Sequence, residues 1–189
     1  MSEKLDRRKK YTRMVLRDSL IELLSDKPIT AVTVKEICEL ADINRSTFYT
    51  HYSDQYDLLK KIEDEIIEDM NEYLSNYSFT KEDEALLMTQ KLVEYIKDKK
   101  LMFETLLNEK GDSTFEKRVM EVAHRFVMKN TMATSNIDEH LSGYLSTYII
   151  SGAIHLIKEW ISKGMKESPK EIAELINHFS NRGLSYLQG

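Results

Sequence analysis

The chain has 189 residues, 41% of them hydrophobic and 31% charged, and a formal net charge of −5. That balance fits one or two globular domains with a real core and argues against coating nucleic acid through bulk positive charge. The single cysteine, Cys38, excludes an internal disulfide and fits a reducing compartment.

Two prolines, six glycines and no sustained apolar–polar alternation predict an all-α chain. The N-terminus is polar, with no signal-like apolar stretch. Leu16, Leu20, Leu23 and Leu24 follow helical spacing, and Pro28 ends that first helix. TVKE at 33–36 is a capping box, with Thr33 accepting from an early backbone N–H and Glu36 reaching back. From it Val34, Ile37, Cys38 and Ala41 form a short amphipathic face. Asn44 caps a further short helix through about 52, and Ser53 or Asp54 caps a longer one over 55–74.

Beyond 75–77, TKED (80–83) opens a helix towards 97, 101–107 reads as a short helix, and STFE (113–116) opens one ending near 130. The stretch 141–165 is apolar nearly all round and is expected to be buried on more than one side. Its longest mostly apolar run, 148–157, is well short of the ~20 residues of a membrane span. The expectation is a cytoplasmic protein without membrane contact. SPKE (168–171), with an N-cap serine, a proline at the first helical position and a capping glutamate, then starts a last helix carrying Ile172, Leu175, Ile176, Phe179 and Leu187 on roughly one face. The expected organisation is an N-terminal domain over 1–55, a connecting helix over 55–74 and a helical domain over 75–189, nine helices in all.

The second and third helices have the dimensions of a helix-turn-helix. Phe48 and Tyr52, at i and i+4, face inward against Ile37 and Ala41. Arg45, Ser46, Thr47, Tyr49, Thr50 and His51 remain for the outer surface. A guanidinium can bind guanine O6 and N7 together, hydroxyls reach phosphate, and a tyrosine ring can meet a thymine methyl. Arg7, Arg8, Lys9, Lys10 and Arg13 would add phosphate neutralisation. Charge leans the same way, with 12 Lys+Arg against 10 Asp+Glu through residue 61 and 15 against 22 beyond it. On pattern alone, an ordinary polar surface helix fits equally well.

The stretch 33–59, TVKEICELADINRSTFYTHYSDQYDLL, resembles the DNA-binding signature of the TetR/AcrR-type transcriptional regulators. Thr33, Val34, Ile37, Ala41, Thr47, Tyr49, His51, Tyr52 and Leu58 meet its pattern, and Ile43 stands for valine. The family's usual lysine at the start of the fourth helix is Gln55 here, which weakens one charged phosphate contact.

The resemblance implies a helix-turn-helix DNA-binding domain followed by a ligand-binding and dimerisation domain, with a homodimer formed through the last two helices. It implies base reading by Arg45 with Tyr49 and Thr50, and phosphate contacts from Thr33, Lys35, Thr47, Tyr49 and His51. It also implies a small-molecule inducer among the C-terminal helices. Tyr95, Phe103, Phe115, His124, Phe126, Tyr144, Tyr148 and His155 are the candidate lining, although aromatics at helical spacing are more often plain core.

The function expected is a dimeric repressor released from a palindromic operator. A related fold acting through protein–protein contacts and a ligand-independent architectural DNA-binding protein are the alternatives. Five histidines without short ligand spacing and one cysteine predict no metal site, no cofactor is called for, and no phosphate-loop or nucleophile-elbow motif suggests an enzyme.

Overall fold

The computed structural model describes residues 2–75, 82–107, 113–134 and 139–185, with side chains over 7–75, 83–107, 114–127 and 143–180. Among the described residues the chain is all-α. Within the described residues nine α-helices run in the order α1 (Ser2–Asp26), α2 (Val34–Ala41), α3 (Arg45–Tyr49), α4 (Gln55–Ser75), α5 (Glu82–Asp98), α6 (Lys100–Leu106), α7 (Ser113–Thr134), α8 (Glu139–Ser162) and α9 (Pro169–Ser185). The chain divides into two compact units, and the division falls inside α4, between Ile66 and Ile67. No helix among the described residues is long and apolar enough to cross a membrane.

In the first unit, Leu16 and Leu20 of α1 and Ile37 of α2 are fully buried, and α1 packs on α2. Pro28 leads into a single 3-10 turn at Ile29–Ala31. The capping box then forms as expected. Glu36 Oε2 accepts the Thr33 N–H at 3.0 Å and its hydroxyl at 2.8 Å, while Glu36 N–H returns to Thr33 Oγ1 at 3.3 Å. Lys27 Nζ reaches the other carboxylate oxygen at 2.6 Å. That bond, with those from Thr33, holds the Glu36 carboxyl down at about 2. Asp42 closes α2 in the left-handed region (φ 53°), a conformation an Asp tolerates better than most side chains, and Asn44 Oδ1 caps α3 by accepting Ser46 N–H at 2.9 Å.

The third helix is shorter than expected, ending at Tyr49 rather than near 52. The Thr50 N–H and hydroxyl both turn back to the Thr47 carbonyl, at 3.2 and 2.6 Å, which tightens the last turn. The Tyr52 N–H still reaches Phe48 O at 3.0 Å, so both rings stay on the inner side.

In the second unit α5 packs along α9 and α7 along α8. Gly164 and Met165, both left-handed, end α8 at Ser162, short of the expected 165. Trp160 is buried and donates its Nε1–H to Glu167 O at 3.1 Å, and the Ser168–Glu171 capping box then starts α9. The expected cap at Thr80 and the residue Leu187 lie outside the described residues.

Burial of α8 departs from expectation. Within the chain Ser146, Ile150 and Ile154, at i, i+4 and i+8, take the inner face. Tyr144 and Tyr148 are 77% and 79% exposed on another face, with His155 exposed in register with them. The apolar composition of α8 therefore serves one buried face and one open one.

Candidate nucleic-acid interface

Five residues cannot sustain a helix in water, so α3 depends on what holds it. Phe48 is fully buried, its ring 5.5 Å from Tyr49 and 5.6 Å from Tyr52. With that ring inward, Arg45, Ser46, Tyr49 and Thr50 are exposed and Thr47 and His51 half-buried. Thr33 and Lys35, at the start of α2, are exposed as well.

Hydrogen bonding sorts these groups in a way that residue type does not. The Thr33 hydroxyl donates to Glu36, the Ser46 hydroxyl donates to Asn44 Oδ1 at 2.9 Å, and the Thr50 hydroxyl donates to Thr47 O. Those three protons are already used within the protein. Lys35 lies 3.6 Å from Glu39 in an exposed pair, which solvent makes weak. Among the described residues, by contrast, the Arg45 guanidinium and the hydroxyls of Thr47 and Tyr49 make no hydrogen bond. Tyr49 itself is 54% exposed. The donors available to an anion or a base edge are thus Arg45, Thr47, Tyr49 and the His51 ring.

Beside this surface, Lys9, Lys10, Arg13 and Arg17 of α1 and Lys61 of α4 line a cleft of about 440 Å³ with Met14, Tyr52, Ile62 and Glu65. Five cations face one carboxylate there. Burial, and then the charges of Arg13, Lys9 and Lys61, push the His51 imidazole below its ordinary range. Arg17 and Lys61 were not among the expected site residues. Each pairs with an acid of its own helix, Arg17 with Asp18 and Lys61 with Asp57, and only the fold brings them to the cleft.

In the second unit the candidate lining separates. Tyr95, Phe103 and Phe115 are buried in a row, with centroids 5.8 and 6.4 Å apart. The Tyr95 hydroxyl donates to Asp69 Oδ2 at 2.5 Å, and Lys99 Nζ donates to both, at 3.0 Å to Asp69 and 2.8 Å to Tyr95. Burial alone would raise the Asp69 carboxyl, but these bonds and the Lys99 charge outweigh it and hold the carboxyl low.

His124 lines a small open hollow of about 210 Å³ with Met120, Glu121, Thr147 and Ile150, and Phe126 is half-buried. Tyr144, Tyr148 and His155 do not point into the bundle. They sit on the open face of α8, where His155 Nδ1–H donates to Ser151 O at 2.9 Å. Among the described residues no group of three or more His, Cys, Asp or Glu is placed to hold a metal ion.

Residues 16–62 match the family description "Bacterial regulatory proteins, tetR family", and residues 83–182 match "Transcriptional regulator C-terminal region" of the same group. The uncharacterized HTH-type transcriptional regulator YxbF of Bacillus subtilis (strain 168) is 34% identical over 64 residues. That stretch is 34% of this chain and only 16% of the YxbF length. Among solved structures, a TetR transcriptional regulator from Streptococcus agalactiae 2603V superposes with a TM-score of 0.65 at 20% identity, covering 95% of this chain and 99% of that one. The regulator FadR from Bacillus subtilis, solved with stearoyl-CoA, gives 0.62 at 14% identity over 88% of this chain and 96% of its own. At these identities the two structures speak for the fold alone.

Proposed function

The chain belongs to the TetR family of bacterial transcriptional regulators, and from that premise we propose that it is a dimeric cytoplasmic repressor, released from a palindromic DNA operator by a small-molecule inducer. In this reading residues 1–55 are the DNA-binding domain, α4 connects, and residues 75–189 regulate and dimerise. The observation that carries the DNA step is the Arg45 guanidinium, exposed at the first position of α3 and unpaired among the described residues, on a helix whose opposite side is pinned by Phe48. Thr47, Tyr49 and His51 supply phosphate contacts. Ser46, Thr50 and Thr33 join them only if their hydroxyls exchange an internal partner for DNA, and Lys35 assists from α2.

Selection of bound duplexes from a random pool, repeated at two salt concentrations, tests the reading. A palindromic consensus is the expected result. Failure to enrich any sequence at low salt would instead favour a protein-binding regulator. On the selected operator, Arg45→Ala is expected to cost about 1–3 kcal/mol and to relax preference at one base pair per half-site. An unchanged titration would remove Arg45 from base reading.

Operator binding is also expected to strengthen as pH falls. A phosphate beside His51 favours the imidazolium and raises a pKa that burial and neighbouring cations depress in the free protein, so binding takes up a proton. Folding carries the opposite sign. The unfolded chain, with its imidazole near 6.5, protonates first, so the His51 contribution to stability is complete above that value and is lost as pH falls from there through the depressed folded-state value. Comparing operator affinity at about pH 8 and about pH 6 in wild type and His51→Gln isolates the binding part. The expected result is a pH dependence that shrinks in the variant; equal slopes would exclude a phosphate at His51.

The inducer reading rests on the aromatic row Tyr95, Phe103 and Phe115, with His124 and Phe126 further along the α7 helix that carries Phe115, and a largely apolar ligand suits those rings. FadR of Bacillus subtilis, of the same fold, was solved with stearoyl-CoA, which lends such a ligand class support. The homodimer reading rests on the open face of α8 with Tyr144 and Tyr148, and on Leu175 and Phe179 of α9, 41% and 67% exposed.

A further inference from the structure

The chain reversal that follows α3 is held by a side chain from well inside α4. Lys61 Nζ donates to the His51 carbonyl at 3.1 Å and to Asp57 Oδ2 at 3.2 Å, and it lies 5.0 Å from the centre of the Tyr52 ring. Asp57 in turn accepts the Ser53 N–H at 2.9 Å. Tyr52 is buried against Phe48, the ring that anchors α3. One ammonium therefore ties together the backbone of His51, the start of α4 and the inner wall of the helix-turn-helix.

We propose that Lys61 is a positioning residue for DNA reading: it fixes the exit of α3, and with it the aim of Arg45, Tyr49 and His51, without contacting DNA itself. The proposal rests on the DNA-binding reading given above. A five-residue helix has too few internal hydrogen bonds to set its own pose, so its two ends decide it. Asn44 fixes the first end through Ser46, and Lys61 fixes the second. Of the three donors on an ammonium, two are in hydrogen bonds here, both charge-assisted, and the ring face of Tyr52 lies close by. Lys61 also brings a cation to this corner from the exposed side of α4, where Gln55 at the start of the helix brings none.

The test uses the full chain with its selected operator and a scrambled duplex. Wild type, Lys61→Met and Lys61→Arg are titrated over a range of salt, with folded fraction followed by circular dichroism. Lys61→Met is expected to weaken operator binding about tenfold and scrambled binding less than about twofold, at an unchanged slope of log affinity against log salt. Lys61→Arg, which keeps the charge and the donors, recovers most of the loss. A slope reduced by about 0.9 in the Met variant would make Lys61 a phosphate contact and overturn the proposal. So would unchanged discrimination, or a loss that is equal on both duplexes and tracks the folded fraction. If the wild type selects no sequence, the DNA-binding reading fails first and the Lys61 assignment falls with it.

Discussion

Phe48→Ala is expected to remove sequence-selective DNA binding and to lower the stability of the first unit by about 3–5 kcal/mol. The ring is fully buried and is the one buried side chain of α3. Truncation leaves a cavity between α2 and α3 and also strips Tyr49 and Tyr52 of their edge and tilted ring contacts. In a longer helix the remaining turns would keep the backbone in place, but α3 has five residues and no turn to spare. Chemical denaturation followed by helicity measures the stability loss, and operator titration at a temperature where the variant remains folded measures the reading loss. Phe48→Leu, which refills most of the volume, is expected to recover more than half of both. A denaturation midpoint close to wild type in Phe48→Ala would mean that the Asn44 cap and the Lys61 bond hold α3 without the ring.

What the sequence made legible follows from the distance over which each signal acts. Both capping boxes, Thr33 with Glu36 and Ser168 with Glu171, place their partners three residues apart, and the structure forms them as expected. The inward pair Phe48 and Tyr52 was equally readable, because i, i+4 spacing needs only a helical turn. The end of α3 was not, since it depends on whether Thr50 turns its hydroxyl back to Thr47, a local choice that composition leaves open. The same limit applies to the outer surface. Residue type names Ser46, Thr47 and Thr50 alike as hydroxyl donors, yet only the three-dimensional arrangement shows that Ser46 and Thr50 have spent theirs.

Lys61 carries no signal at all in a linear reading, where its i, i+4 partner Asp57 makes it an ordinary helix-surface pair. Its bond to His51 spans ten positions and a chain reversal. On α8 the difficulty is different. Apolar residues all round a helix predict burial, but they do not say whether the cover comes from the same chain, and here Tyr144 and Tyr148 stay 77% and 79% exposed among the described residues.

That open face leads to the other large expected effect. On the dimer and palindromic operator proposed above, replacing Tyr148 and Phe179 together with glutamate is expected to give a monomer and to weaken operator binding by about a hundredfold or more. Each of these rings is well over half exposed in the single chain, and aromatic rings at the centre of an interface commonly dominate its energy. A carboxylate buried at either place in the proposed interface would be desolvated without a partner. Neither side chain contributes to the core of its own chain, so the thermal midpoint of the monomer should reflect only the lost association.

The loss on DNA follows from linkage of two half-sites rather than from any altered contact in α3. A monomer meets each half-site independently, while a dimer brings the second head at a high effective concentration once the first is bound. Binding to a duplex carrying one half-site should therefore be unchanged, and that comparison separates lost dimerisation from a damaged reading head. Sedimentation equilibrium of both proteins supplies the mass. A variant that remains dimeric places the seam elsewhere, and a monomer that still grips the full palindrome at wild-type strength means that each head reads DNA alone.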